Sequence, residues 1–383
     1  MLQVLSITCC RYYQHYTAGA MGFKSLVKLF APMCYILAMD DFKTAYHNAL
    51  CKDVPSFIEE YAALPLLQRL EGIGLLCGTD WTPIFSNKFY YSRLDHSIGT
   101  ALITWNFTHD KIQTIASLLH DVSTPAFSHV SDFKNGDALT QSSTEDLNSK
   151  MIDEDAALQA LLKRDGIKTE QVNNYHLYPV CDNIIPTLSA DRLEYMYPSG
   201  AALEGIWSIE DTIKNYSHIK VLTNERNQPE LGFDNAEEAH IYAKKFLKTS
   251  LILQKNRDKV AMQLMADVLT EAEKEHIITG ADLYKLSEQE LIQKFEDHAK
   301  QKPELMFSAL FRTFRGAKSI IQSNNPLKEI YCINIKVKRR FVDPLTETEN
   351  GVTRVSKVYA EYRKAIWDFL NFEDSPYAGV ELL

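Results

Sequence analysis

The stretch Lys111-Ile112-Gln113-Thr114-Ile115-Ala116-Ser117-Leu118-Leu119-His120-Asp121 decides how this chain is read. Its apolar residues run at helical spacing to Leu119, and the run ends by setting an imidazole directly beside a carboxylate. Upstream, Arg93-Leu94-Asp95-His96-Ser97 supplies another histidine at the head of a second helical pattern, His96 to Phe107, with Ile98, Ala101, Leu102 and Trp105 on one face. The connection between the two patterns is short, so the helices are expected to pack antiparallel and bring His96 toward His120. Far downstream, Ser189-Ala190-Asp191-Arg192 offers a second aspartate. Imidazole and carboxylate lone pairs together suit one divalent ion, and such an ion can make a nucleophile of water at neutral pH. By spacing alone, a histidine at a helix end serves equally well as a cap. A second His-Asp pair, His109-Asp110, falls in the polar connection and is given no role.

The chain has 383 residues, 45% of them hydrophobic, enough for a large core, and a formal net charge of −9. That charge argues against a protein that coats nucleic acid, whose footprint is usually basic. It leaves room for a small anionic substrate met by local arginines. The seven cysteines are scattered and odd in number, which speaks against a disulfide framework and for a reducing, cytoplasmic setting. Residues 1–39 carry Arg11, Lys24 and Lys28 and no acid. Their apolar run Leu29 to Met39 has the length of a signal-peptide core and is too short to span a bilayer. An N-terminal extension before the folded body is the preferred reading, and no membrane association is expected.

The body reads as mainly α. Beyond the two central helices, helical patterns cover Asp41 to Cys51, Leu64 to Leu76, Glu145 to Leu162, Asn183 to Tyr197 (stopped by Pro198 and Gly200), Ala236 to Ala272, Ser287 to His298 and Tyr359 to Leu370. Thr79 to Tyr91 is turn-rich, and Ser123 to Ser143 fits a loop around a pocket. Asn224 to Gly232 reads as a hairpin connection. Ile330 to Phe341 alternates like a strand, with Val352 to Val358 as its expected partner; the charges of Lys336-Val337-Lys338-Arg339-Arg340 are then a solvated face. The expected domains are an extension over 1–39, a core over 40–225, and a helical and α+β region with a short antiparallel hairpin over 226–383.

Taken in order, Arg93-Leu94-Asp95-His96-Ser97-Ile98-Gly99, Leu118-Leu119-His120-Asp121-Val122, Phe127-Ser128-His129 and Ala190-Asp191-Arg192-Leu193-Glu194-Tyr195 resemble the signature of the HD-domain metal-dependent phosphohydrolases. The likeness is closest to the branch of the deoxynucleoside triphosphate triphosphohydrolases, which Leu67-Gln68-Arg69-Leu70 and Gly72-Ile73 also resemble. It covers roughly residues 55–200. The resemblance implies an HD-domain helical core and four metal ligands, His96, His120, Asp121 and Asp191. They would hold one divalent ion: manganese, iron, magnesium, zinc or nickel. It further implies that Arg93 contacts substrate phosphate, where a guanidinium offers a planar fork; a salt bridge to Asp95 or another local acid is the alternative. Asp132 matches a carboxylate near the active-site histidine. His129 matches a histidine beside the pocket, with a hydrogen-bonded loop histidine as the plainer alternative. Tyr195 matches a pocket tyrosine, with core packing nearly equal to it, and Arg192 is expected to assist Arg93. Oligomers, often dimers or tetramers, are implied as well.

Two positions depart from that branch. Thr124 stands where the family has a catalytic histidine three residues after the aspartate, and Thr144 replaces a second histidine before Glu145. Thr124 is therefore expected to face substrate rather than to move a proton, since a hydroxyl does not titrate near neutrality as imidazole does. Glu145 or His129 can take the acid role, although Glu145 also fits a helix start. The expected function is metal-dependent hydrolysis of a nucleotide or related phosphate ester. The alternative is a catalytically weakened protein that binds metal or nucleotide as a regulator or scaffold.

Overall fold

The computed structural model describes residues 42–141 and 147–383. The apolar run Leu29 to Met39, together with Thr144 and Glu145, lies outside the described residues. Ala45–Leu383 forms one compact unit. It is mainly helical, with two small sheets in its C-terminal half. Among the described residues no helix is long and apolar enough to cross a membrane.

The centre is a helical hairpin. Helix α1, Arg93–Thr108, starts at a capping box in which Ser92 accepts from the Asp95 amide at 3.0 Å and Asp95 accepts from the Ser92 amide at 3.1 Å. It ends at His109, which takes the left-handed conformation at φ 51°. Asp110 then caps α2, Lys111–Leu118, by accepting from the amides of Ile112 and Gln113. The His109-Asp110 pair is thus a turn and a cap, and it sets α2 back against α1.

Beyond the hairpin, the short helix α3, Val130–Lys134, interrupts the loop after Asp121. The pattern from Glu145 to Leu162 resolves into two helices, Leu147–Glu154 and Ala156–Arg164, parted where Asp155 caps the second. Helix α4, Ala190–Glu204, differs from the sequence expectation at both ends. Residues 183–189 are turns, and the helix continues through Pro198 and Gly200. Proline removes the N–H that would reach the carbonyl four residues back. That carbonyl, of Glu194, accepts instead from the buried Tyr46 hydroxyl at 3.3 Å. Gly200 serves close packing: a Cβ there would lie 2.8 Å from the Trp207 ring. Helices α5, Ala236–Gln254, and α6, Asn256–Lys274, divide the long pattern at Lys255. Helices α7, Glu288–Gln301, and α8, Met306–Gly316, complete that wall, and α8 was not expected from the sequence.

The strands pair differently from the expectation. The hairpin β1, Ile219–Thr223, and β2, Pro229–Phe233, joins in parallel through β2 to a second hairpin, β5, Leu345–Thr348, and β6, Gly351–Arg354. Buried Glu230 and Arg354, 2.5 Å apart, staple the two hairpins. Strand β4 covers only Tyr331–Ile333 and pairs with the terminal β7, Tyr377–Val380, which also pairs with β3, Ile321–Ser323. Of the expected partner over 352–358, residues 352–354 belong to β6, which pairs with β5 instead, and Val355–Val358 is a helical turn. Residues 334–341 form an irregular strap: the Lys338 amide donates to Ala138 in the loop before Gln141, and Gln254 donates to the Lys338 carbonyl.

Candidate metal centre

The hairpin and α4 bring three sequence-distant donors together. His96 Nε2 and His120 Nε2 stand 3.0 Å apart. Asp191 Oδ1 lies 3.2 Å from the first and 3.7 Å from the second. Asp121 Oδ2 lies 3.7 Å from His96 Nε2 and 3.6 Å from His120 Nε2. Donors about 2.1 Å from one ion and at right angles to each other would be about 3.0 Å apart. The spacings of His96, His120 and Asp191 therefore suit a single coordination shell, with Asp121, paired to Arg93, beside it.

The tautomers agree with this. His96 Nδ1 is held by Glu194, and His120 Nδ1 donates to the Ser117 carbonyl at 2.6 Å. With protons on both Nδ1 atoms, both Nε2 atoms are left toward Asp121 and Asp191, free to hold a cation there or, without one, a shared proton. Burial alone would lower the pKa of His96. The charge of Glu194 and the hydrogen bonds His96 gives to Asp191 and Glu194 overcome it and raise the group to about 10. Against the upward push of burial, Arg93, His120 and His96 hold Asp121 well below the usual carboxylate range.

The other predicted residues fall around this cluster. Arg93 donates through Nε to Ser128 at 3.0 Å and through Nη1 to Asp121 at 2.8 Å; Asp95, the local acid weighed as its partner, is taken up by the helix cap. Thr124 donates to the other Asp121 oxygen at 3.0 Å. Arg69 clamps the same turn through the carbonyls of Val122 and Thr124. His129 and Tyr195 line the cavity. Asp132 is fully buried behind His129 and accepts from its Nδ1 at 2.9 Å. Arg192 reaches the cavity wall but is tied to Thr187, Asn183 and Asp182.

Glu194 was missed by sequence reasoning. It is fully buried, with one oxygen on His96 and the other accepting from Tyr91 at 2.6 Å. Its signal was available: it follows Asp191 by three residues, on the same face of one helix. The strap was missed as well. Its Lys338 and Arg340 line the cavity, where a strand with a solvated face was expected. The cavity holds about 480 Å³, within the range of small-molecule sites.

No family model matches the chain. The uncharacterized protein YdhJ of Bacillus subtilis (strain 168) is 23% identical over 320 residues, which are 81% of this chain and 90% of that protein. The metal-dependent phosphohydrolase cns2 of Cordyceps militaris is 26% identical over 187 residues, 48% of this chain and 52% of that protein. Among solved structures, a phosphohydrolase from Bacteroides thetaiotaomicron superposes with TM-score 0.60 at 14% identity, covering 86% of this chain and 97% of its own. A hypothetical protein from Aquifex aeolicus superposes with TM-score 0.55 at 13% identity, covering 86% and 93%. The chain thus shares the fold of these two structures, and its sequence is similar to that of a metal-dependent phosphohydrolase.

Proposed function

We propose that the protein is a metal-dependent phosphohydrolase of the HD type, acting on a nucleotide or related phosphate ester. The convergence of His96 Nε2, His120 Nε2 and Asp191 Oδ1, with both Nδ1 atoms committed elsewhere, carries this reading. His96, His120, Asp121 and Asp191 would hold one divalent ion. When bound, such an ion supplies Lewis acidity to a phosphoryl oxygen and shifts the pKa of water from about 15.7 toward about 7. Arg93, fixed by Ser128 and Asp121, steadies phosphate charge with its remaining donors. Thr124 and Arg69 hold Asp121 in place rather than moving a proton. His129, whose Nδ1 is committed to Asp132, keeps Nε2 to exchange a proton with the leaving group or with water. Tyr195 shapes the organic side of the pocket. Residues 40–225 carry this chemistry, and the strap lends it a wall from the C-terminal region.

A second reading, binding without turnover, is motivated by Thr124 in place of an imidazole. Elemental analysis, followed by phosphate release from nucleotides and phosphomonoesters with manganese, magnesium or iron, separates the two. Turnover with bound metal is expected, and His120→Ala should lose both together; full metal and full activity in that variant would overturn the proposal. Metal-loaded protein silent on every substrate supports the second reading. Homo-oligomerisation belongs to the first, and light scattering checks it.

A further inference from the structure

Three arginines line the cavity, and they differ in one respect. Arg93 is paired with Asp121 at 2.8 Å and Arg192 with Asp182 at 3.1 Å. Arg340 has no carboxylate in ion-pair reach among the described residues; its guanidinium meets only the amide oxygen of Gln141. Asp258, on the same wall, feels the Arg340 charge but stands beyond that reach, and burial pushes its own pKa up to about 7. Arg340 lines the cavity together with His129 and Tyr195.

A half-buried guanidinium without a counter-charge is costly, and flexible arginines escape that cost by turning to water. Arg340 is placed against such escape. The strap is pinned on both sides of Lys338, at the Ala138 carbonyl and by Gln254, and Arg339 donates to the Phe372 carbonyl at 2.9 Å. Lys338 adds a second cationic residue to the same wall. Among the described residues the position of a counter-anion is left to a ligand, and the planar fork of arginine matches phosphoryl oxygens best.

We propose that Arg340, with the strap that carries it, forms a second phosphoryl-binding subsite in the cavity, separate from the metal centre. The substrate is then an ester bearing another phosphoryl group away from the one that is cleaved. This rests on the proposed function for the substrate class, but the subsite itself does not depend on it.

Isothermal titration with inorganic phosphate tests both ends independently. In chelator-treated protein Asp121 and Asp191 repel phosphate from the metal end and Asp121 occupies Arg93, so binding there reports the Arg340 subsite. Two phosphates per chain are expected for the manganese-loaded protein and one for the stripped protein. Arg340→Gln should bind one when loaded and none when stripped, and Arg340→Lys should recover part of the lost affinity. Thermal melts confirm that the variants are folded. No binding to the stripped protein, or unchanged binding in folded Arg340→Gln, overturns the subsite. Acetate binding as tightly as phosphate overturns the phosphoryl assignment. Loaded protein that binds no more phosphate than stripped protein speaks instead against the metal-dependent function, and leaves the subsite standing.

Discussion

Glu194 grips His96 from the side away from the cavity, one carboxylate oxygen on Nδ1, so that Nε2 is left as a lone-pair donor. Its other oxygen is fixed by Tyr91, and its backbone carbonyl by Tyr46. A single buried residue therefore fixes the ring of a histidine that lies 98 positions earlier in the chain.

Glu194→Gln tests this grip. The amide keeps the size and loses the charge that favours the Nδ1 proton. Partners of metal-bound histidines typically contribute about 10–100-fold in metal affinity. Manganese affinity is expected to fall by about that factor, with the far-UV circular dichroism unchanged. Equal affinity in the variant would show that Glu194 is packing alone.

Gly99 tests the same contact from the opposite helix. A Cβ at this position would lie 2.4 Å from Glu194 Oε1 and 2.8 Å from Cδ. The far end of a glutamate usually swings aside, but here both oxygens are tied. Gly99→Ala is expected to cost about 1–3 kcal/mol in urea denaturation and to lower manganese affinity along with Glu194→Gln. A variant with unchanged stability and metal binding would mean that the helices shift apart freely.

What the sequence revealed follows from where the determinants lie. The antiparallel hairpin was legible because its periodicity, its turn and its cap are local, and the His96–His120 meeting follows from them. The continuation of α4 was not, because the donor replacing the proline N–H comes from Tyr46, far away in sequence. The strap misled for a related reason. Ile333, Ile335 and Val337 alternate as a strand does, yet the Lys338 amide bonds to a loop, and the true partner of β4 is the chain end at Tyr377–Val380. Strand pairing between remote segments leaves no local mark. Arg340 was consequently read as solvated when it lines the cavity.

Tyr46→Phe separates fold support from metal support. The ring stays, with its edge-on contacts to Tyr91 and Tyr197, but the Glu194 carbonyl loses its donor. An unsatisfied buried acceptor costs about 1–3 kcal/mol. A loss of that size in urea denaturation is expected, with metal content kept. Unchanged stability would mean that another donor already serves this carbonyl.

Asp258 makes stability depend on pH in a direction opposite to that of a salt-bridged acid. Burial raises its folded pKa from 3.8 to about 7. The folded state therefore holds this proton more tightly than the unfolded chain, and stability falls as pH climbs from about 4 to about 7. Below that window the penalty is absent; above it the penalty is complete. A shift of about three units corresponds to about 4 kcal/mol at most. Asp258→Asn cannot ionise. It is expected to be more stable than the parent by about 2–4 kcal/mol at pH 8 and equal to it near pH 4, in urea melts at several pH values. A difference independent of pH would show that the folded carboxyl titrates as in the unfolded chain, its burial offset by the charges of Arg340, Lys259 and Arg257.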